Sequence, residues 1–256
     1  MTNTLKPLNL GRRILTEEEV LEQLAGYQPT NPRQELEPTP QPQPTPEPEQ
    51  EADIIPQDYI LLEGTNNYQD TFISTTRTHQ GNNWNKTQEL LHARDLYMPT
   101  IKQFVDFLKL LRSGTAFNGN GDNIPSSQLD AIYKDITEVK DPWRAEWLDA
   151  KFEGNLIHYH HRTRQGSLQS VVSEGLVPYL RQDKTPGIDL EYWINNSTSQ
   201  GLPLDNTLNG NLYYWHPRDG AVARFSANSD RAYLICSRYP WSSNSSLGVR
   251  PCARKN

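Results

Sequence analysis

Residues 221–250 read AVARFSANSDRAYLICSRYPWSSNSSLGVR, and their side chains alternate as in a β-strand. One alternating set within residues 232–239 consists of Ala232, Leu234 and Cys236. The other set consists of Tyr233, Ile235, Ser237 and Tyr239. Because successive side chains of a strand point to opposite faces, burial of the first set turns the second set outward. The sequence therefore predicts an outward row of aromatic and small polar side chains, continued by Trp241, unless a second layer of structure covers it.

The segment around this strand has an unusual composition. Residues 203–254 contain no Lys, Glu, Gln or Met, although the whole chain has 9, 16, 16 and 2 of them. At the average frequency of the chain, these 52 residues would hold about nine. They hold seven Ser, five Asn and four Tyr instead. Such residues are typical of recognition surfaces, where Tyr supplies rigid amphipathic area and small polar residues supply adaptable hydrogen bonds.

Further strands are predicted on both sides of this segment. The candidate strands are residues 146–153, 156–162, 212–216, 221–225 and 247–252. The first two are joined through Gly154-Asn155, and the next two through the turn sequence Pro217-Arg218-Asp219-Gly220. Each of these two pairs therefore predicts a β-hairpin.

Two amphipathic helices precede most of these strands. The first begins after Pro99 and ends at Gly114, and the second begins at Pro125. The apolar face of the first helix consists of Ile101, Phe104, Val105, Leu108 and Leu111. The apolar face of the second helix consists of Leu129, Ile132, Tyr133, Ile136 and Val139. A short helix is also predicted after Asp189, which can cap it. Two helices followed by many short strands predict an α+β fold.

The chain divides into three segments. Residues 1–27 predict a short helix, which begins with a capping box at Thr16 and ends at Gly26. Residues 28–56 are rich in Pro and Glu, which predicts an extended polyproline II linker. The globular domain is predicted for residues 57–256. Because a helix of about ten residues is marginal alone in water, we expect it to dock on this domain or on another protein.

Charge and hydropathy argue against two classes of partner. The net charge is −6, and residues 28–56 carry six acidic residues against Arg33 alone, so the rest is nearly neutral and has no basic stripe for nucleic acid. No apolar run reaches the ~18 residues of a membrane span, and residues 1–15 lack the apolar core of a signal peptide. We therefore expect a protein of the cytoplasm or of a virus particle.

Motifs for catalysis are weak. His158 and His160 would share a strand face and His161 follows them, but no further metal-ligand motif accompanies these histidines. The sequence has neither a GxSxG motif nor a phosphate-binding glycine loop of the required spacing. Cys236 and Cys252 fit neither a disulfide framework nor a zinc site. We therefore predict no catalytic residue, no metal and no cofactor.

The C-terminal residues resemble the scaffold of a known family. The stretches that carry the resemblance are Val222-Ala223-Arg224-Phe225, Ser229-Asp230-Arg231-Ala232, Leu247-Gly248-Val249-Arg250 and, upstream, residues 141–147 and 212–215. They are similar to the variable proteins of diversity-generating retroelements, which occur in bacteria, archaea and their viruses. The resemblance implies a C-type-lectin-like domain of the formylglycine-generating-enzyme-like subtype.

The resemblance also accounts for the unusual composition. In that family an error-prone reverse transcriptase substitutes at template adenines, often in AAC or AAT codons. Such codons, varied at their first two positions, never encode Lys, Glu, Gln or Met, and they do not encode Trp either, so Trp241 requires another template codon. The variable region implied is about residues 206–250. The variable, ligand-binding positions implied are His216, Ser226, Asn228, Tyr233, Ile235, Ser237, Tyr239, Trp241, Ser243, Asn244 and Ser245.

The function implied is recognition of a macromolecular ligand, such as a protein or a cell surface, without catalysis. The calcium motifs of sugar-binding C-type lectins are absent, and Cys236 and Cys252 are not the closely spaced pair of a formylglycine-generating enzyme. Two other functions stay open at the level of sequence. One is an enzyme on the same fold, either an oxidase or a metal hydrolase using His158 and His160. The other is an assembly protein that packs its aromatic face against a second copy.

Overall fold

The computed structural model describes residues 54–160 and 171–255. Within these ranges the protein is a mixed α+β structure, as predicted, and no helix combines the length and apolar character that a membrane span requires. The helices are α1 (Trp84–His92), α2 (Ile101–Ser113), α3 (Ser126–Thr137) and α4 (Leu190–Asn196). The strands are β1 (Tyr59–Leu62), β2 (Thr71–Ser74), β3 (Arg144–Glu153), β4 (Leu156–Tyr159), β5 (Val172–Gly175), β6 (Lys184–Ile188), β7 (Leu212–Trp215), β8 (Val222–Ala227), β9 (Ala232–Arg238), β10 (Leu247–Gly248) and β11 (Cys252–Arg254). The predicted helix of residues 1–27, and the predicted linker up to residue 53, lie outside the described residues.

The two predicted amphipathic helices are confirmed as α2 and α3. The Thr100 hydroxyl accepts a hydrogen bond from the Gln103 amide at 3.2 Å, and the Gln103 side chain accepts one from the Thr100 amide at 2.9 Å, which completes a capping box. Helix α2 ends at Gly114, whose φ of 73° is the left-handed conformation that favours glycine. Helix α3 ends at Thr137, so the prediction of Val139 on its apolar face is wrong: Val139 lies beyond the helix and is 49% exposed.

Two further local predictions are confirmed. The Asp189 carboxylate caps α4 by accepting a hydrogen bond from the Tyr192 amide at 2.6 Å. Strands β3 and β4 form an antiparallel hairpin whose turn contains Gly154 at a φ of 57°. The last two residues predicted for the second strand of this hairpin, 161 and 162, lie outside the described part of the chain.

The central sheet has the strand order β5-β4-β3-β8-β9-β7-β6, and β10 pairs with β3. A second, three-stranded sheet has the order β1-β2-β11. One face of the central sheet packs on α2, α3 and α4: the larger core cluster contains Phe104, Leu129 and Trp193 of these helices together with Phe225 and Leu234 of the sheet. We call this the inner face and the opposite one the outer face.

The outer face is covered over β3 and part of β8. A second core cluster there includes Trp84 of α1, Trp147 of β3 and Leu247 of β10. Ladder partners point to the same face of a sheet, and the ladder runs from Trp147 through Arg224 to Ile235. This cluster therefore lies on the same face as Ile235, yet among the described residues it contains none from β7 or β9.

The second predicted hairpin, between what are now β7 and β8, is wrong although both strands exist. Strand β9 lies between them, parallel to β7 and antiparallel to β8. The turn residues bond to a different hairpin: the Gly220 amide donates to the Phe152 carbonyl at 2.8 Å, and the Asp219 carboxylate accepts from the Gly154 amide at 2.7 Å. The turn still closes locally, because the Ala221 amide donates to the Arg218 carbonyl at 3.1 Å, but the strands on its two sides are separated by β9.

The predicted strand of residues 247–252 is also wrong as a single strand. It is divided into β10, which joins the central sheet, and the start of β11, which joins the small sheet. Pro251 has no amide hydrogen to donate to a ladder, while its carbonyl accepts a hydrogen bond from the Ser74 amide at 2.9 Å. The chain therefore changes sheets at this point.

The change of sheets places Arg250 in the interior, with 0% of its surface exposed. Its Nε donates to both carboxylate oxygens of Glu146 at 3.1 Å, and its Nη2 donates to Asp135 Oδ2 at 3.1 Å. Its Nη1 donates to the Thr75 carbonyl. Beside it, Arg144 donates to carbonyls at the end of α3, including that of Glu138 at 2.7 Å. These buried arginines tie α3, β3 and the residue after β2 into one unit.

Candidate functional site

Burial confirms the alternation predicted for β9. Ala232, Leu234 and Cys236 are buried on the inner face. Tyr233 and Ile235 are half-buried on the outer face. The predicted outward row is therefore confirmed for Tyr233 and Ile235, whose side chains stay partly accessible.

Strand β7 adds two aromatic side chains to this row. The parallel pairing sets Tyr213 opposite Tyr233 and Trp215 opposite Ile235. The rings of Trp215 and Tyr233 stack with centroids 5.4 Å apart, and the Tyr213 ring lies edge-on to that of Tyr233 at 5.6 Å. The Arg231 guanidinium covers the Tyr213 ring at 3.8 Å. We call Tyr213, Trp215 and Tyr233 the aromatic cluster.

A second aromatic group lies just after β9. The rings of Tyr239 and Trp241 stack at 4.8 Å, and the two residues are 59% and 66% exposed. The Pro240 carbonyl between them accepts a hydrogen bond from the Trp84 amide at 3.0 Å, which fixes this corner to the start of α1. Stacking of two exposed rings on a fixed backbone gives a rigid apolar projection, a common feature of contact surfaces.

The loop that follows is small and polar. Ser243, Asn244 and Ser245 are exposed, as expected for positions open to a ligand. Asn244 shapes the loop, because its side-chain oxygen accepts a hydrogen bond from the Ser246 amide at 2.9 Å. The carbonyl of Asn244 accepts another from the Leu247 amide at 2.9 Å, where β10 begins.

Two of the predicted ligand-binding positions are less accessible than expected. Ser226 is only 2% exposed, which corrects its placement on an accessible surface. It lies on an interior strand between Ala145 of β3 and Tyr233 of β9, and a side chain this small is covered by such neighbours. Asn228 is half-buried beyond the end of β8, where its amide donates to the Arg231 carbonyl at 2.9 Å.

His216 follows the aromatic cluster directly in the chain and is held by Asp183. Its Nδ1 lies 2.8 Å from Asp183 Oδ1, and its amide donates to the same oxygen at 3.0 Å. Arg218 donates to the other carboxylate oxygen of Asp183 at 2.8 Å. The His216 ring therefore already has a charged partner, and it borders the aromatic cluster as a fixed polar group.

Two arginines of the central sheet, Arg224 and Arg238, also lie on the outer face. Arg224 of β8 lies opposite Ile235, and its guanidinium stacks over the Trp143 ring at 5.5 Å. Arg238 lies opposite Val222. Between the pair Arg224–Ile235 and the pair Val222–Arg238 the register shifts, because β9 advances by three residues where β8 advances by two. This bulge turns Arg238 to the same face as Arg224 and puts Ser237 at the irregular position.

No protein-family model, curated protein or solved structure matches this chain. The assignment of a function therefore depends on the residues and their geometry.

The histidines proposed for a metal site have separate partners. The His158 ring lies 2.7 Å from the Ser173 hydroxyl, whereas the His160 ring lies 3.3 Å from Asp149 and edge-on to Trp84 at 4.7 Å. His161 lies outside the described residues. Within residues 54–160 and 171–255, no group of three or more His, Cys, Asp or Glu side chains has a geometry that could hold a metal ion.

Both cysteines are free and buried. Burial raises the pKa of the Cys236 thiol well above its ordinary value, and burial with the nearby charge of Asp149 does the same for Cys252. A thiol whose pKa is raised in this way carries little reactive thiolate at neutral pH.

Proposed function

We propose that this protein is a non-enzymatic ligand-binding protein whose outer face is diversified in the manner of retroelement variable proteins. The observation that carries the proposal is the coincidence of two features that were obtained independently. One is the composition of residues 203–254, which lacks Lys, Glu, Gln and Met, four of the five residue types that varied AAC and AAT codons do not encode; the fifth, Trp, is present. The other is the position of the aromatic cluster and of Tyr239 and Trp241, which belong to that segment and lie partly or largely exposed.

The proposal includes a C-type-lectin-like architecture. The stretches that carry the family resemblance contribute buried, hydrogen-bonded side chains, among them Arg144, Glu146 and Arg250. The positions between them, such as Tyr239 and Ser243, are exposed. A division into a fixed frame and replaceable surface positions is what a diversified binding protein needs, because surface substitutions usually change stability by less than about 0.5 kcal/mol.

Sequencing the DNA beside the gene tests diversification directly. We expect a near-copy of the codons for about residues 206–250, next to a reverse-transcriptase gene. The near-copy should differ almost only where it has adenine, and these differences should fall at the codons for outward residues such as Tyr233, Ile235 and Tyr239. The codons for Leu234 and Cys236 should be the same in both copies, because these side chains are buried.

Two results of this sequencing would contradict the proposal. One is the absence of such a copy, which would remove the explanation for the composition of residues 203–254. The other is a copy whose differences are spread evenly over buried and exposed codons, because variation of that kind would disrupt the core as often as it changed the surface.

A second candidate function is self-assembly, which the high exposure of the Tyr239–Trp241 pair favours. Sedimentation of the wild-type protein and of a Y239A/W241A variant separates the two functions. For a binding protein we expect the same molecular mass before and after the substitutions. Phe117→Ala is a matched control, because Phe117 is exposed but lies in another loop. An oligomer that only Y239A/W241A dissociates would establish assembly instead.

A further inference from the structure

Arg224 and Arg238 stand apart from the other buried or half-buried arginines. Arg77, Arg144 and Arg250 donate hydrogen bonds to carbonyls or carboxylates. The Nε atoms of Arg224 and Arg238 are fully shielded from solvent, yet neither has a hydrogen-bond partner among the described residues. Neither guanidinium forms an ion pair with any carboxylate in residues 54–160 or 171–255.

Two neighbouring cations that have no anionic partner among the described residues are costly to keep in a folded protein. Burial, and then the positive charge of Arg238, lower the pKa of Arg224 to about 10, so Arg224 remains charged at neutral pH. Trp143 holds the Arg224 guanidinium in place through its ring at 5.5 Å. A charge that is desolvated without a partner is a loss of stability that a bound anion would recover.

The surroundings indicate what kind of anion fits. A guanidinium presents a planar fork of donors that matches a carboxylate. Ile235 lies directly opposite Arg224 in the ladder, and the Trp215 and Tyr233 rings follow on the same face. A ligand that contacts these apolar side chains and the arginines together must combine apolar groups with an acid, as an acidic segment of a protein does.

Accepting the proposed function of the outer face, we propose that its ligand is an acidic protein segment, one carboxylate of which binds between Arg224 and Arg238. Because the two arginines come from neighbouring strands, they hold this carboxylate at a fixed place beside the aromatic cluster. The diversified side chains then select among ligands that share this acidic contact.

The first test uses thermal unfolding of the full chain in sodium chloride buffer at neutral pH. We expect Arg238→Met to raise the melting temperature by about 2 °C, because it removes the repulsion between two shielded charges. Arg238→Gln should act in the same direction, which guards against a packing defect specific to methionine. A lower melting temperature for both variants would overturn the proposal, because it would mean that the chain itself supplies an anionic partner.

The second test adds a hexaglutamate peptide at constant ionic strength. We expect it to raise the melting temperature of the wild-type protein and to bind Arg224→Met and Arg238→Met at least tenfold more weakly. Arg112→Met is the matched control, because Arg112 belongs to α2, which packs on the inner face, and pairs with Glu191, and this variant should bind normally.

Three outcomes would overturn the acidic-segment proposal. They are no response of the wild-type protein, an equal response of all variants, and a response to inorganic phosphate that exceeds the response to hexaglutamate. None of them bears on the DNA beside the gene. A diversified near-copy found together with any of these outcomes would therefore leave the proposed function in place and remove only this ligand class.

Discussion

Replacing Arg250 with methionine should lower the free energy of unfolding by about 3–5 kcal/mol. The reason is that the substitution leaves Glu146 buried without the Nε–H donor that its two carboxylate oxygens share, and removes the contact at 3.1 Å from Asp135. Among the described residues, the ion pair that Glu146 keeps is the one with Arg77, at 3.9 Å. Urea unfolding of the two proteins measures the difference.

A control and a double variant sharpen this measurement. Lys86→Met breaks an exposed ion pair with Glu89 and should cost less than about 1 kcal/mol. In R250M, the further change Glu146→Gln should restore part of the lost stability, because it removes the unpaired buried charge. Equal losses for Arg250→Met and Lys86→Met would show that the buried network does not hold the frame together.

At low pH, we expect Arg250→Met to lower the free energy of unfolding by a smaller amount. Burial opposes ionisation of Asp135, but the hydrogen bond from Lys140 and the charges of Arg250 and Arg144 outweigh it and hold the Asp135 pKa below its ordinary value. A lowered pKa contributes stability above the ordinary value of about 4, and this contribution is lost as the pH falls through the folded-state pKa. The difference between wild type and variant should therefore shrink below about pH 4.

The second large effect is a contrast between neighbours on β9. Leu234→Asn should cost about 3–5 kcal/mol, because it buries an amide in the core and removes packing on the inner face. Tyr233→Asn, one residue earlier, should cost about 1 kcal/mol or less, because its side chain is half-buried on the outer face. Urea unfolding again measures both.

This contrast bears on function because AAC and AAT are themselves asparagine codons. If residues 206–250 are diversified from such a template, a chain with asparagine at Tyr233, Ile235 and Tyr239 together must still fold. A Tyr233→Asn variant as unstable as Leu234→Asn would mean that the outer row is part of the core. That result would contradict diversification and favour a second layer or an assembly contact.

The candidate site was only partly predictable. The alternation within residues 232–239 located Tyr233 and Ile235, since a strand next to a core must turn one set of side chains away. The same alternation in β7 buries Leu212 and Tyr214 and turns out Tyr213 and Trp215. Their place beside Tyr233 depends on parallel pairing with a strand that comes later in the chain.

The alternation of side chains could not predict which face of the sheet Arg238 occupies. Strict alternation groups it with the inward side chains, and only the register shift opposite β8 turns it to the outer face beside Arg224. Likewise, the sequence of residues 217–220 correctly predicted a turn but wrongly predicted that the two flanking strands pair with each other. The turn bonds instead to Phe152 and Gly154 of another hairpin.

Local features of this protein were thus determined by the sequence itself. Capping at Thr100 and Asp189, the end of α2 at Gly114 and the two faces of β9 all depend on residues within a few positions, where sterics and hydrogen bonding act directly. The tertiary structure alone decided which strands are neighbours, where the chain changes sheets and how Arg250 is buried. These features depend on contacts between residues up to 183 positions apart, such as Thr71 and Arg254, which no local pattern encodes.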